Sequence, residues 1–310
     1  MEQQQNTKKK RSPIRRLFWT LFGAGVMGLS LLFLLTSWGV FGKLPSFQEL
    51  ENPDLAVATE VYGADGEMLG KIYRKNRVNV TYDQLPKHLV HAVVATEDER
   101  FFKHSGIDLK ATIRAFVLLG RKGGGSTITQ QLAKNLLEQG RDQRSIRNTP
   151  KRIVEKVKEY IIATRLEKRY TKEEILAMYL NQFEFVNNAI GVQSASKVYF
   201  SKTVQELDSV EVAVFAGMLK NPSAFNPKQN PNDSKARRNV VFRQMEKNNF
   251  ISKAEKEALQ ARETVVRFQK DDHNTGLAPY LRSVIQNDVL KKWIEENPRV
   301  DGEKYDMYRD

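Results

Sequence analysis

The stretch Glu97-Asp98-Glu99-Arg100-Phe101-Phe102-Lys103-His104-Ser105-Gly106 follows directly on an apolar run, Leu89-Val90-His91-Ala92-Val93-Val94-Ala95-Thr96. The run has the composition of a buried helix. If that helix continues by one turn, Glu97 falls i+4 from Val93 and i+3 from Val94, on the buried side. A carboxylate placed there loses hydration, and its pKa rises. That is the property a general base for a hydroxyl group needs near neutral pH. The same residues also fit a solvated charged turn, and taken alone they do not separate the two readings.

Two further clusters lie downstream. The first is Gly123-Gly124-Gly125-Ser126-Thr127-Ile128-Thr129-Gln130-Gln131-Leu132-Ala133-Lys134-Asn135. Its glycines let backbone approach a bulky ligand. Ser126 or Thr127 can cap the next helix, whose N-terminus attracts anions. The pattern is not a phosphate-binding P-loop, because no Gly-Lys-Ser/Thr stands at the right spacing. The second cluster is on a helix predicted over 150–169. Ile153, Val157, Ile161 and Thr164 form its apolar stripe, beside a face of Glu155, Lys158, Glu159 and Ile162. A carboxylate with a neighbouring lysine can bind pyrophosphate or assist proton movement, although such a face is also what an ordinary solvated helix presents.

Working outward, ATEVYG (58–63) and MLGKIYR (68–74) flank an Asp65-Gly66 turn and predict a β-hairpin. Helices are predicted over 89–96, 111–120, 205–219, 233–248 and 253–263. Thr171 with Glu174, and Ser252 with Glu255, have the spacing of capping boxes. The chain is therefore expected to be mainly α with a small β element. At the N-terminus, residues 17–41 carry no charge. As a helix they would extend about 37 Å, against the roughly 30 Å of a bilayer core. Lys8-Lys9-Lys10-Arg11, Arg15 and Arg16 precede the run, so the N-terminus is expected inside and the remainder outside the cytoplasmic membrane. The expected organisation is a basic tail over 1–16, an anchor over 17–41, a linker and hairpin over 42–85, the main domain over 86–250 and a helical or linker segment over 251–310.

Composition excludes several chemistries. With no cysteine among 310 residues there is no disulfide framework, thiolate metal site or cysteine nucleophile. The four histidines have no metal-ligand spacing. The net charge of +13 suits an acidic partner, yet no nucleic-acid motif is present, so no nucleic-acid partner is expected. Ser194-Ala195-Ser196-Lys197 matches Ser-x-x-Lys, but no Ser-x-Asn or Lys-Thr-Gly follows, and it reads as a coincidence.

Order and spacing add what no cluster carries singly. Glu97-Asp98-x-x-Phe101-x-x-His104-x-Gly106, Gly124-Gly125-Ser126-Thr127-Ile128-Thr129-Gln130-Gln131, Lys156-x-x-Glu159 and Ile175-Leu176-x-x-Tyr179-Leu180-Asn181 follow in sequence, then Ala216-Gly217-Met218-Leu219-Lys220-Asn221-Pro222. Over roughly residues 50–250 this resembles the glycosyltransferase domain (glycosyltransferase family 51) of class A penicillin-binding proteins and of monofunctional peptidoglycan glycosyltransferases. The resemblance implies a lysozyme-like α fold with a small hairpin-containing, membrane-proximal subdomain. It also implies polymerisation of lipid II into β-1,4-linked glycan by an inverting step, with undecaprenyl pyrophosphate leaving. By the same resemblance Glu97 is the base and Glu159 the second catalytic carboxylate. Asp98, Ser126, Thr127, Gln130, Gln131, Lys134, Arg144 and Lys158 are the substrate-binding residues. The implied partners are lipid II, the growing lipid-linked glycan, the membrane and other cell-wall synthesis proteins. No organic cofactor is implied, though the family points to Mg²⁺ or Mn²⁺.

Two positions depart from the family's pattern. Glu155-Lys156 stands where it has Arg-Lys, and Val186 where it has glycine. A lysozyme-like hydrolase and a non-catalytic anchored scaffold are the competing readings. The first is disfavoured by the 124–131 cluster, the second by the presence of both Glu97 and Glu159. Residues 265–310 are longer than a monofunctional enzyme needs, and are expected to lead towards a transpeptidase domain whose motifs these residues lack.

Overall fold

The computed structural model describes residues 13–42, 44–45, 59–66, 68–72, 78–117, 124–138, 149–269, 279–298 and 305. The chain is mainly helical. Helix α1 (Pro13–Ser37) is followed by strands β1 (Thr59–Tyr62) and β2 (Met68–Ile72), then α2 (Lys87–Glu97), α3 (Leu109–Val117), α4 (Ile128–Glu138) and α5 (Thr149–Arg169). Then come α6 (Lys172–Gln182), α7 (Val192–Phe200), α8 (Ser209–Met218), α9 (Pro231–Lys247), α10 (Lys253–Ala261), α11 (Pro279–Val284) and α12 (Lys291–Glu296).

Helix α1 is long and apolar enough to cross a bilayer. It ends at Ser37, four residues before the apolar run does. Gly39 takes φ +81°. Its N–H bonds Thr36 O at 3.1 Å, and Val40 N–H bonds Leu35 O at 3.1 Å. This is a Schellman stop, which glycine adopts without the Cβ penalty. Phe33 stacks on Tyr160 of α5 at 6.5 Å between ring centroids.

The two strands pair antiparallel across the Asp65-Gly66 turn, with Gly66 at φ +80°. The core has α8 at its centre, buried from Val210 to Met218 and packed on α2 and α9. A second group, α4 against α5 and α6, joins it through one continuous apolar cluster. Where one helix was predicted over 205–219, the chain forms a 3₁₀ turn at Val204–Glu206 and restarts. Asp208 stops the second helix from extending backward, because its carboxylate caps Val210 N and Glu211 N. Both predicted capping boxes form, at Thr171/Glu174 and Ser252/Glu255.

The stripe on α5 is rotated from its predicted position. Val157, Ile162, Ala163 and Leu166 are buried, while Ile153 is 52% exposed. Val186 has φ +58°, the left-handed region that glycine occupies freely, so a β-branched residue holds a strained turn there. The turn is closed by Phe185 N–H to Ala189 O at 2.9 Å and by Asn187 Nδ2 donating to Tyr199 Oη at 2.9 Å.

After α10 an extended segment runs back over α7. Arg267 N–H bonds Tyr199 O at 2.9 Å and Gln269 N–H bonds Val198 O at 2.8 Å. The segment is gripped by Arg238 of α9, which is fully buried. Arg238 donates to Arg262 O and Thr264 Oγ1, each at 2.8 Å, and to Gln260 O at 3.1 Å.

Gly106 couples the turn after α2 to α5. It has φ +84°, and a Cβ there would sit 3.0 Å from Glu167 Cγ and 3.1 Å from Ala163 O. Gly106→Ala is expected to destabilise the domain by about 2–3 kcal/mol, combining left-handed strain with overpacking. Thermal unfolding of the detergent-solubilised chain measures this.

Candidate active site

Glu97 is the last residue of α2, whose C-cap is Asp98. The helix does continue through Glu97, and of the two placements left open by the sequence the side chain takes the buried one, with 12% exposure. Gln131 Nε2 donates to Glu97 Oε2 at 3.0 Å. Tyr179 O–H donates to Gln131 Oε1 at 2.9 Å. Because the amide oxygen accepts from Tyr179, its NH₂ end must face the carboxylate. Arg237 Nη2 stands 3.8 Å from Glu97 Oε1. Burial pushes the Glu97 carboxyl above the ordinary carboxylate range, while the bond from Gln131 and the charges of Arg237 and Lys220 pull it back. Burial likewise raises the Tyr179 hydroxyl well above its ordinary value, which keeps it a neutral donor.

Glu97 lies on the wall of a cavity of about 1110 Å³. Ser126, Gln130, Gln131 and Lys134 line it from the glycine-rich segment and α4, and Glu155, Lys156 and Glu159 line it from α5. The predicted clusters therefore meet in space. Lys156 Nζ ties two of them, donating to Ser126 Oγ at 2.8 Å and to Glu159 Oε2 at 2.6 Å. Among the described residues seven cationic side chains and four carboxylates line the cavity, a positive balance suited to a polyanion.

Three predicted binding residues are turned elsewhere. Asp98 is buried and accepts from His104 Nε2 at 3.0 Å and from Ile128 N–H at 3.1 Å. Thr127 is buried, donates to Gly106 O at 2.6 Å and accepts from Gln130 N–H at 3.1 Å, capping α4. Lys158 is buried, pairs with Glu155 Oε1 at 3.0 Å and points towards Gly42 beyond α1. These three side chains are occupied by the scaffold, because a buried polar group needs partners of its own. Arg144 lies outside the described residues. Ser194 is buried and Lys197 exposed, so that pair forms no site.

The carboxylate at Glu155 is balanced locally by Lys158, and α5 also turns Arg152 and Lys156 to the cavity. Sequence reasoning gave no role to Arg237 or Lys220. Lys220 was visible in the Lys-Asn-Pro stretch. Arg237 sits in no local pattern and is brought to Glu97 only by the packing of α9 on α2. Among the described residues no three His, Asp or Glu side chains converge to hold an ion.

Residues 65–246 match the transglycosylase family model, and the chain belongs to that family. It carries a transglycosylase domain of the class A penicillin-binding protein type. It is 35% identical over 258 residues to penicillin-binding protein 1A of Escherichia coli, covering 82% of this chain and 29% of that one. The identity is also 35% to penicillin-binding protein 1A of Aquifex aeolicus (86% and 35%) and to penicillin-binding protein 1F of Bacillus subtilis (81% and 34%). The chain thus spans about a third of the length of these relatives.

Asp98→Asn sets an amide NH₂ against a buried donor. It is expected to lower stability by roughly 1–3 kcal/mol, read from thermal unfolding.

Proposed function

We propose that the chain is a peptidoglycan glycosyltransferase that polymerises lipid II on the outer face of the cytoplasmic membrane, anchored by α1. The observation that carries this reading is Glu97: a desolvated carboxylate, held by Gln131, on the wall of a cavity rich in lysine and arginine. Such an arrangement supports removing a proton from a sugar hydroxyl while a pyrophosphate departs.

In the proposed step the acceptor 4-hydroxyl gives its proton to Glu97. Its oxygen attacks C1 of the lipid-linked donor from the face opposite the pyrophosphate. The C1–oxygen bond to pyrophosphate breaks, and C1 is inverted to the β configuration. The logic is that of an inverting glycosidase with a sugar hydroxyl in place of water. The leaving pyrophosphate needs no proton if its charge is held, a task suited to Lys134, Lys156 and Arg152. Arg144 shares this task by family resemblance. Glu159 orients Lys156, which in turn holds Ser126. Asp98, Thr127 and Lys158 act as positioning residues. The domain division, a lysozyme-like core, the hairpin subdomain, any Mg²⁺ or Mn²⁺ carried on the substrate, and partnership with other cell-wall synthesis proteins belong to the same proposal.

Glu97→Gln is expected to cut lipid II polymerisation by about 10²–10⁴-fold, the usual contribution of a general base. The assay separates glycan products by length from purified lipid II. Unchanged polymerisation would sink the mechanism, and shortening of isolated sacculi would favour the hydrolase. The wild-type rate should fall as pH drops through a pKa above the ordinary value of about 4.3, because the raised Glu97 pKa moves loss of the base form to higher pH.

A further inference from the structure

We infer that Arg237 is a positioning residue for the base: it holds the negative charge on Glu97 Oε1 and so assigns that oxygen, rather than Oε2, to proton removal. The inference rests on the transferase reading above. Gln131 already occupies Oε2 at 3.0 Å. Arg237 Nη2 approaches Oε1 only to 3.8 Å. That is beyond hydrogen-bonding distance, so an acceptor hydroxyl can still reach the Oε1 lone pairs, while the charge acts at that range.

The guanidinium is held in place. Arg237 Nε donates to Gly217 O at 3.4 Å, and Cζ lies 5.7 Å from the Phe225 ring centroid. The side chain is 13% exposed. A Cβ at Gly217 would meet Arg237 Cγ at 3.0 Å, so the glycine of α8 leaves the lane along which the arginine reaches the base.

The groups around Glu97 come from every neighbouring element. Gln131 of α4 is a neutral donor, and Tyr179 of α6 acts through it. Among the described residues Lys220, beyond α8, and Arg237 of α9 are the cations that act on it, and Asp98 beside Glu97 opposes them. Of the two cations, Arg237 is the one within ion-pair distance. In the step, the acceptor proton passes to Oε1 as the new C1–oxygen bond forms and the C1–pyrophosphate bond breaks. Glu97 is then a neutral acid beside a cation, which favours return of that proton to water before the next cycle.

The test compares Arg237→Gln and Arg237→Lys with wild type, using the full chain and purified lipid II. It measures kcat, KM, the pH profile and thermal unfolding. Arg237→Gln should lower kcat about 10–100-fold at neutral pH, move the acidic limb to higher pH and leave KM nearly unchanged. Arg237→Lys should restore much of the limb. Gly217→Ala, which crowds Arg237, should shift the limb in the same direction and decides the matter if Arg237→Gln does not fold. An unmoved limb overturns the inference, and so does a rise in KM alone, which would make Arg237 an acceptor-binding group. Full activity in Glu97→Gln would instead remove the base reading itself, so the two failures are distinguishable.

Discussion

The Asp98 carboxylate receives two hydrogen bonds, one from His104 Nε2 and one from Ile128 N–H. Through it the end of α2, the turn that reaches Gly106 and the first turn of α4 are fastened at one point. A carboxylate cannot be buried without donors, so the three segments must assemble together or leave that charge uncompensated. Thr127 adds a second tie to Gly106 O within the same turn. Glu97 is the residue next to this fastening, and Gln131 stands one turn into the helix that the fastening starts. The amide therefore meets the Glu97 carboxylate as a consequence of the anchoring rather than by independent placement.

The same economy of contacts governs α5. Its buried side, from Val157 to Leu166, locks it against α4 and α6. Its cavity side carries Arg152, Lys156 and Glu159. Lys156 is fixed by two oxygen atoms, Ser126 Oγ and Glu159 Oε2. A lysine restrained in this way presents its charge with less loss of side-chain freedom when an anion arrives. Glu155 and Lys158 neutralise each other along one turn of helix, which removes the acid at 155 as an electrostatic obstacle to a polyanion.

Much of this was legible in the chain because the relevant signals are local. The capping boxes at Thr171 and Ser252 and the Asp65-Gly66 turn follow from spacings within a few residues, whereas the burial of Glu97 depends on α2 continuing one turn past its apolar run. Structure and local pattern part where tertiary context decides. The apolar run to Phe41 did not reveal that Gly39 would close the helix early. Periodicity alone puts Ile153 on the stripe of α5, and the neighbouring helices select Ile162 and Ala163 instead. Asp98, Thr127 and Lys158 are polar residues in functional stretches, yet each is committed to holding the scaffold, a distinction that only burial and partners make. Arg237 could not be found from sequence because its relation to Glu97 exists only after α9 packs on α2.

Adjacent residues of α9 face in different directions. Arg237 looks into the cavity, while Arg238 clasps the carbonyls of Gln260 and Arg262 and the hydroxyl of Thr264. A pull on the chain beyond residue 269 therefore meets the rungs at Gln269 and Arg267 first, and then the three hydrogen bonds on one buried guanidinium. While those hold, α9 stays in register and the cation beside Glu97 is shielded from the tug. The polypeptide thus leaves the domain through contacts made one residue away from the side chain that faces Glu97.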